Sequence, residues 1–178
     1  MVNYCIICGS FVEKLLLKDD SVERFICTTC NHIHYENPKI IVGSLPVKDD
    51  FILLCKRDIE PARGKWTFPS GYMEIGESLE DGAKREAYEE ARLVYEIIKL
   101  YGSFSIPRIG QVLFVYLAKI LNKDYKAAAE TSEVKLFQLN KIPWDDISFP
   151  SVEFFLKRYV SDFNDNKKFK FHSNFGNY

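Results

Sequence analysis

The chain has 178 residues, of which 47% are hydrophobic and 28% charged, with a formal net charge of −1. This length fits one ordinary domain or one domain with a small appendage, and the balance is that of a globular protein able to build a core. The near-neutral charge argues against a general nucleic-acid binder, which carries a basic face, and leaves a nucleotide open as a small substrate. No apolar run approaches the ~18 residues that span a bilayer. The opening MVNYCIICGS lacks a basic region followed by an apolar one, so the expectation is a cytoplasmic protein with no membrane partner.

In chain order, Phe11–Lys18 and Val22–Cys27 read as two short strands joined by a turn at Asp19-Asp20-Ser21. Asn37-Pro38 punctuates the chain, and the pattern then becomes that of an α/β domain. Lys39–Val47 and Phe51–Lys56 read as strands around a hairpin turn at Lys48-Asp49-Asp50. Lys65–Phe68 is a shorter strand followed by a turn at Pro69-Ser70-Gly71. From Leu79 to about Arg92 the periodicity is helical, with Leu79, Ala83, Ala87 and Ala91 on one face and Ser78 placed to cap the N-terminus. Glu96–Ser105, Gln111–Ile120 and Glu133–Leu139 read as strands, and Val152–Phe163 carries a clear helical face. The expected division is 1–36, 37–164 and a C-terminal tail, 165–178, that the pattern leaves unassigned.

Four of the five cysteines form two pairs, Cys5-x-x-Cys8 and Cys27-x-x-Cys30, separated by eighteen residues. This spacing suits a structural Zn²⁺ held by four thiolates, and a bound metal would explain how about 36 residues with little apolar bulk could fold. A redox pair and idle cysteines are the competing readings. His32 and His34 read as structural, because four thiolates complete the shell, and Cys55 reads as a buried core residue. Lys14, Lys18 and Arg24 stand against Glu13, Asp19, Asp20, Glu23 and Glu36, so residues 1–36 are acidic. A phosphate-binding role is therefore not expected, and a structural or dimer-forming one is.

Seven of the seventeen residues from Glu74 to Glu90 are acidic. On a helix Glu86, Glu89 and Glu90 fall at i, i+3 and i+4, where like charges repel. A hard divalent cation would remove that penalty, since Mg²⁺ and Mn²⁺ prefer carboxylate oxygens. A solvated acidic face is the alternative for three glutamates taken alone.

The whole segment, however, resembles the Nudix box: Gly, five residues, Glu, seven residues, Arg-Glu, aliphatic, any residue, Glu-Glu, any residue, Gly, aliphatic. Those places fall on Gly71, Glu77, Arg85, Glu86, Ala87, Glu89, Glu90, Arg92 and Leu93, and all agree except Arg92, where the family has glycine. The resemblance implies a Nudix α/β/α sandwich with a mixed β-sheet, preceded by a small four-cysteine zinc ribbon. It implies catalytic Mg²⁺ or Mn²⁺ on Glu86, Glu89 and Glu90, with the Gly71 carbonyl as a further ligand. Arg85 would orient a glutamate, and the general base would be Glu89, Glu130 or Glu133. Metals so placed neutralise a diphosphate and acidify a water for attack on phosphorus.

A ribbon ahead of such a domain narrows the choice. The Ser-Gln-Pro-Trp-Pro-Phe-Pro array of the NADH pyrophosphatases is absent from Val94–Leu113. The chain resembles instead the branch containing plant plastid FAD pyrophosphatases and bacterial ADP-ribose pyrophosphatases. Asn37-Pro38-Lys39, Leu54-Cys55-Lys56-Arg57, Trp66-Thr67, Gly71-Tyr72, Ile106-Pro107, Ile109-Gly110-Gln111 and Lys170-Phe171-His172 carry that likeness. The resemblance implies a homodimer that cleaves a small nucleotide substrate, FAD to FMN and AMP first, ADP-ribose or NADH second. Tyr72, Phe104, Phe114 and Ile106 are the candidate walls for the flavin. A nucleotide-sensing binding protein with weak catalysis is the alternative from another class.

Overall fold

The computed structural model describes residues 3–176 and divides the chain into two compact units, Met1–Asn37 and Pro38–Tyr178. The first is a three-stranded antiparallel sheet of β1 (Val12–Leu15), β2 (Arg24–Cys27) and β3 (Ile33–His34). The first two strands lie inside the segments read from the sequence. The third, two residues long, is too short to show a period.

The second unit is built on a mixed sheet. β4 (Lys39–Lys48) and β5 (Phe51–Arg57) form the expected hairpin, closed by Asp49-Asp50 with Asp49 at φ 55°. After one pair of residues on each strand, Val47↔Ile52 and Lys48↔Phe51, the two diverge. The gap takes β6 (Trp66–Thr67), which pairs with β5, and β7 (Ser70–Tyr72), which pairs with β4. The expected turn at 69–71 is thus corrected: Ser70 and Gly71 are strand residues opposite Gly43 and Val42. Gly43 makes this possible, since a Cβ there would stand 2.7 Å from the Ser70 Cβ and 2.9 Å from the Pro69 carbonyl oxygen.

Helix α1 (Leu79–Ala91) begins at Ser78, whose hydroxyl accepts from the Asp81 N–H at 3.1 Å. β8 (Tyr95–Ile106), β9 (Gln111–Ile120) and β10 (Thr131–Gln138) follow, then α2 (Pro150–Asn164) and β11 (His172–Phe175). The strand order is β10-β5-β4-β9-β8-β11, with β4 parallel to β9 and β11 parallel to β8. The unassigned tail therefore contributes a strand. It is fastened by Asp162 of α2, which accepts from Tyr101 Oη at 3.0 Å and the Lys170 N–H at 3.1 Å and lies 2.8 Å from His172 Nε2.

Alternation along the strands sorts the core onto two faces. Leu45, Leu54, Phe104, Leu113, Val115 and Leu117 pack with Val152, Phe155, Leu156 and Tyr159 of α2. Leu53, Cys55, Ala118 and Ile120 pack with Ala87 and Ala91 of α1, and Val42 and Tyr116 with Ala83. Each fully buried Phe or Leu contributes roughly 1.5–3 kcal/mol. The alanine stripe does a different job, because its small side chains let α1 lie close on the sheet. Among the described residues no helix is long and apolar enough to cross a membrane.

Candidate active site

Three consecutive pieces of the second unit converge: β7, the loop 73–78 and α1. The loop is pinned by Glu77, whose Oε1 accepts from the Glu74 N–H at 2.7 Å. Arg85 joins all three pieces. Its Nε and Nη2 donate to the two Glu77 oxygens at 3.0 and 2.9 Å, Nη1 to Glu86 at 2.6 Å and Glu89 at 3.4 Å, and Nη2 also to the Tyr72 carbonyl at 2.9 Å. This guanidinium holds the Glu77 carboxyl down at about 2. Every donor of Arg85 is thereby committed to the protein.

The three box glutamates differ in surroundings. Glu90 is buried (9% exposed), Glu86 is largely covered and Glu89 is half exposed. Burial, with the charge of Glu86 added, pushes the Glu90 carboxyl up to about 8, although the Ser70 N–H bonds to it and the Arg57 charge opposes the rise. Burial also raises Glu86, against the pull of Arg85. Glu90 Oε2 has no hydrogen-bond partner. A buried carboxylate oxygen left without a donor costs free energy, and a cation repays it. Gly71 completes the cradle: a Cβ on it would lie 2.3–2.4 Å from the Glu86 carboxyl atoms, so β7 can approach the helix only with glycine there. The donor set is all oxygen and suits a hard divalent ion.

The helix ends at Arg92 in the left-handed conformation (φ 51°, ψ 30°), where the box has glycine. Arg92 N–H bonds Tyr88 O at 2.9 Å and Leu93 N–H bonds Ala87 O at 3.2 Å, the paired closure that glycine usually permits. The strain of about 1–2 kcal/mol is offset locally. The guanidinium lies 4.9 Å over the Tyr88 ring, and Asn122 Nδ2 donates to the Arg92 carbonyl at 3.0 Å.

Of the three base candidates, Glu89 sits on the helix itself. Glu130 stands near enough for its charge to act on Glu90, and the loop before it is tied to α1 by the Ala128 N–H on Glu90 O at 3.0 Å. Glu133 is not brought to the site. It pairs in register with Lys56, 3.7 Å from its ammonium, on the face opposite Val134 and Leu136, which pack toward α1. The candidate walls also separate. Phe104 (3% exposed) and Ile106 (5%) lie in the core on the α2 face, so they are packing residues here. Tyr72 is 49% exposed and in register with Ile41 on that same face, whereas Phe114 is in register with Val42 and Gly71 on the face of the glutamates. The hydroxyl of Tyr72 accepts from Gln111 Nε2 at 2.8 Å and Lys39 Nζ lies 5.4 Å from its ring centre. Sequence reasoning missed Ser70, whose N–H bonds Glu90, and Arg57, whose charge acts on it. A cation closing the apolar strand Phe51–Arg57 was the one available signal.

In the first unit, the sulfurs of Cys5, Cys8, Cys27 and Cys30 all lie within 4.8 Å of one another, with three separations of 3.4–3.6 Å. A tetrahedral Zn²⁺ with bonds of about 2.3 Å places its sulfurs about 3.8 Å apart, so the set fits. Backbone N–H groups point at these sulfurs, from Ile7 to Cys5 and from Thr29 and Cys30 to Cys27, each at 3.4 Å. The Cys30 N–H pulls the Cys27 thiol below its ordinary value, and the Ser10 N–H brings Cys8 down to about 6. These two shifts favour the thiolate, the form a metal binds, whereas Cys30 goes the other way: the His32 N–H lowers it, but the Cys27, Cys8 and Cys5 sulfurs and burial together push it up to about 12. Cys55, separately, is fully buried in the second unit.

A mixed sheet between two helices, with a carboxylate-rich strand–loop–helix on one face, and a four-thiol ribbon ahead of it, define the class. Residues 38–157 match the NUDIX domain family and residues 3–36 the zinc-ribbon family described as Nudix N-terminal. The chain belongs to the Nudix family and is a hydrolase of that family with an N-terminal zinc ribbon. A crystal structure of a NUDIX hydrolase from Nitrosomonas europaea is 42% identical, with a TM-score of 0.95 over 99% of this chain and 100% of that one. An ADP-ribose pyrophosphatase of Methanocaldococcus jannaschii is 32% identical over 61% of this chain and 67% of its own length. An NAD-capped RNA hydrolase, NudC, of Edwardsiella ictaluri is 28% identical over 77% of this chain. The match spans only 52% of that NudC, so the chain corresponds to about half of such relatives.

Proposed function

We propose that the chain hydrolyses the diphosphate bond of a small compound containing an ADP moiety, with ADP-ribose or a nicotinamide dinucleotide as the substrate class. The observation that carries this reading is the unpartnered, buried Glu90 oxygen beside Glu86 and Gly71. Glu86, Glu89 and Glu90, with the Gly71 carbonyl, would hold Mg²⁺ or Mn²⁺. A divalent cation there supplies neutralisation of diphosphate charge and a more acidic water. Arg85 holds Glu77, Glu86 and Glu89 in place, and Glu130, whose charge acts on Glu90, would take a proton from water. Phe114, half-buried on the face of the glutamates, is the ring left to stack on a planar group, since Tyr72 lies on the other face of the sheet.

The relatives named for ADP-ribose and for NAD-capped RNA support the substrate class. FAD falls to second place, because its case rested on an aromatic wall backed by an apolar loop, and Phe104 of the wall and Ile106 of the loop are in the core. The remaining ring, Phe114, stacks equally well on adenine. The test is a panel of ADP-ribose, NADH, FAD and nucleoside triphosphates with Mg²⁺ or Mn²⁺, the products being identified by mass. Cleavage of ADP-ribose or NADH to AMP and the complementary monophosphate is expected. Efficient release of FMN from FAD with ADP-ribose untouched would reverse the substrate order, and no cleavage of any compound would refute the reading.

A further inference from the structure

We infer that Cys8 and Cys30 form an oxidation site in the ribbon: a peroxide joins them as a disulfide, and the four-thiol set then loses its metal. The four sulfurs are not equivalent. Cys5 and Cys27 are buried (3% and 0% exposed), whereas Cys8 and Cys30, one from each Cys-x-x-Cys pair, are exposed. Their backbones differ in the same sense. Cys27 ends β2 in register with Val12, and the Cys5 N–H bonds Ser10 O at 2.8 Å. Cys8 and Cys30 each close a turn, 6–8 and 28–30, outside the strands. The residues flanking them in the chain, Ile7, Gly9, Thr29 and Asn31, are exposed as well, which leaves these two sulfurs open to a molecule as small as a peroxide.

The Sγ atoms of Cys8 and Cys30 lie 3.5 Å apart. A disulfide bond is about 2.05 Å long, so the two turns have to close a gap of about 1.5 Å. Cys8 and Cys27 are as near, at 3.4 Å, but joining them would pull a fully buried strand residue out of place. The chemistry balances with hydrogen peroxide as the oxidant. The Cys8 thiolate attacks a peroxide oxygen, the O–O bond breaks, hydroxide leaves and Cys8 becomes a sulfenic acid. The Cys30 thiolate attacks that sulfur, the S–S bond forms and a second hydroxide leaves. Two electrons have passed from the sulfurs to the peroxide. A metal-coordinated thiol is deprotonated outright, so Cys30 is a thiolate when the second step begins. Cys5 and Cys27 alone leave a tetrahedral ion two ligands short, and residues 3–36, which fold around that ion, loosen when it departs. The fifth thiol, Cys55, is fully buried in the second unit and takes no part.

The test titrates the full-length, zinc-loaded chain with hydrogen peroxide. Zinc is followed with a colorimetric chelator, the disulfide by peptide mass mapping and folding by amide exchange. Zinc release in step with disulfide formation is expected, with Cys8–Cys30 as the first linkage and faster exchange confined to residues 3–36. A dithiol with added Zn²⁺ should reverse all three changes. Cys8→His keeps a fourth ligand of a kind that such sites accept, and should hold its zinc at peroxide concentrations that strip the parent. A first linkage that omits Cys8 or Cys30 overturns the inference, as does zinc retained by a chain in which the two are joined. A zinc-loaded Cys8→His that loses its metal as fast as the parent also overturns it. Should Cys8→His fail to take up zinc, the linkage map of the parent decides alone. A parent that carries no zinc before oxidation overturns the inference together with the reading of the ribbon as a zinc site.

Discussion

The two units stabilise themselves by different means. The Nudix unit buries phenylalanine, tyrosine and leucine on one face of an eight-stranded sheet and leucine, tyrosine and alanine on the other. The ribbon buries Ile26, Cys5 and Cys27 and leaves Tyr4, Ile6, Ile7, Phe11, Leu15, Leu16, Val22 and Tyr35 exposed. In the first, apolar burial outweighs chain entropy without help. In the second, the four thiolates must supply what the core does not. The contrast extends to carboxylates and thiols: one unit keeps the buried Glu90 carboxyl with an unpartnered oxygen and a raised pKa, whereas the other gathers four thiols that a zinc would join.

Removing the metal from the ribbon should have the largest effect. Cys27→Ser or a strong chelator is expected to cost on the order of 10 kcal/mol of binding-coupled folding and to unfold residues 3–36 alone. Metal analysis should find one zinc per chain in the parent and none in the variant, with the Nudix unit's unfolding transition retained. Cooperative loss of both units together would break the comparison.

Next comes the cost of the acidic site. The Glu90 carboxyl lies at about 8 when folded, against an ordinary 4.5, so between those values the folded state binds more protons than the unfolded one. Metal-free stability should therefore fall as pH rises from about 4.5 to 8. Glu90→Gln should flatten that slope and raise the melting temperature near pH 8, an effect on the order of a few kcal/mol. A variant whose melting temperature falls with the parent's over that range would show that the carboxyl is not strained.

Asp162→Ala should cost roughly 2–3 kcal/mol, since it strands donors from Tyr101 and the Lys170 N–H and removes the partner of His172. Burial raises this carboxyl, but the His172, Lys170 and Tyr101 bonds outweigh it and hold it below its ordinary value. Its contribution is thus present above the usual carboxyl range and lost as pH falls through the folded value. Faster amide exchange in residues 172–175 would mark the strand it fastens. Arg92→Gly should have the smallest effect, a gain of about 1 kcal/mol or less in denaturant unfolding with unchanged turnover, because the Tyr88 stacking lost with the side chain offsets part of the relief.

What could be read from the chain follows the same division. Local, periodic features were legible: the Cys-x-x-Cys pairs, the Ser78 cap and the alanine stripe of α1, the strands on either side of Asp49-Asp50. Features fixed by distant partners were not. Ser70–Tyr72 carries turn residues yet is a strand, because β4 and β5 part and Gly43 leaves room for it. β11 has no buried alternation to betray it and exists through Asp162 and β8. Phe104 looked available for a ligand, yet Ser103 and Ser105 alternate with Phe104 and Ile106, a pattern that puts both apolar side chains on one buried face. Arg57 and Glu130 come near enough for their charges to act on Glu90 only through the folded loop 126–131, and no spacing in the sequence announces that approach.

The central claim, that Glu86, Glu89 and Glu90 form the hydrolytic site, is tested most directly by kcat/KM for ADP-ribose in the parent and in Glu86→Gln, Glu89→Gln and Glu90→Gln, with folding checked by melting temperature. The account predicts AMP and ribose 5-phosphate from the parent and a fall of at least about 10²-fold in each folded variant. Parent-level turnover in all three would contradict it.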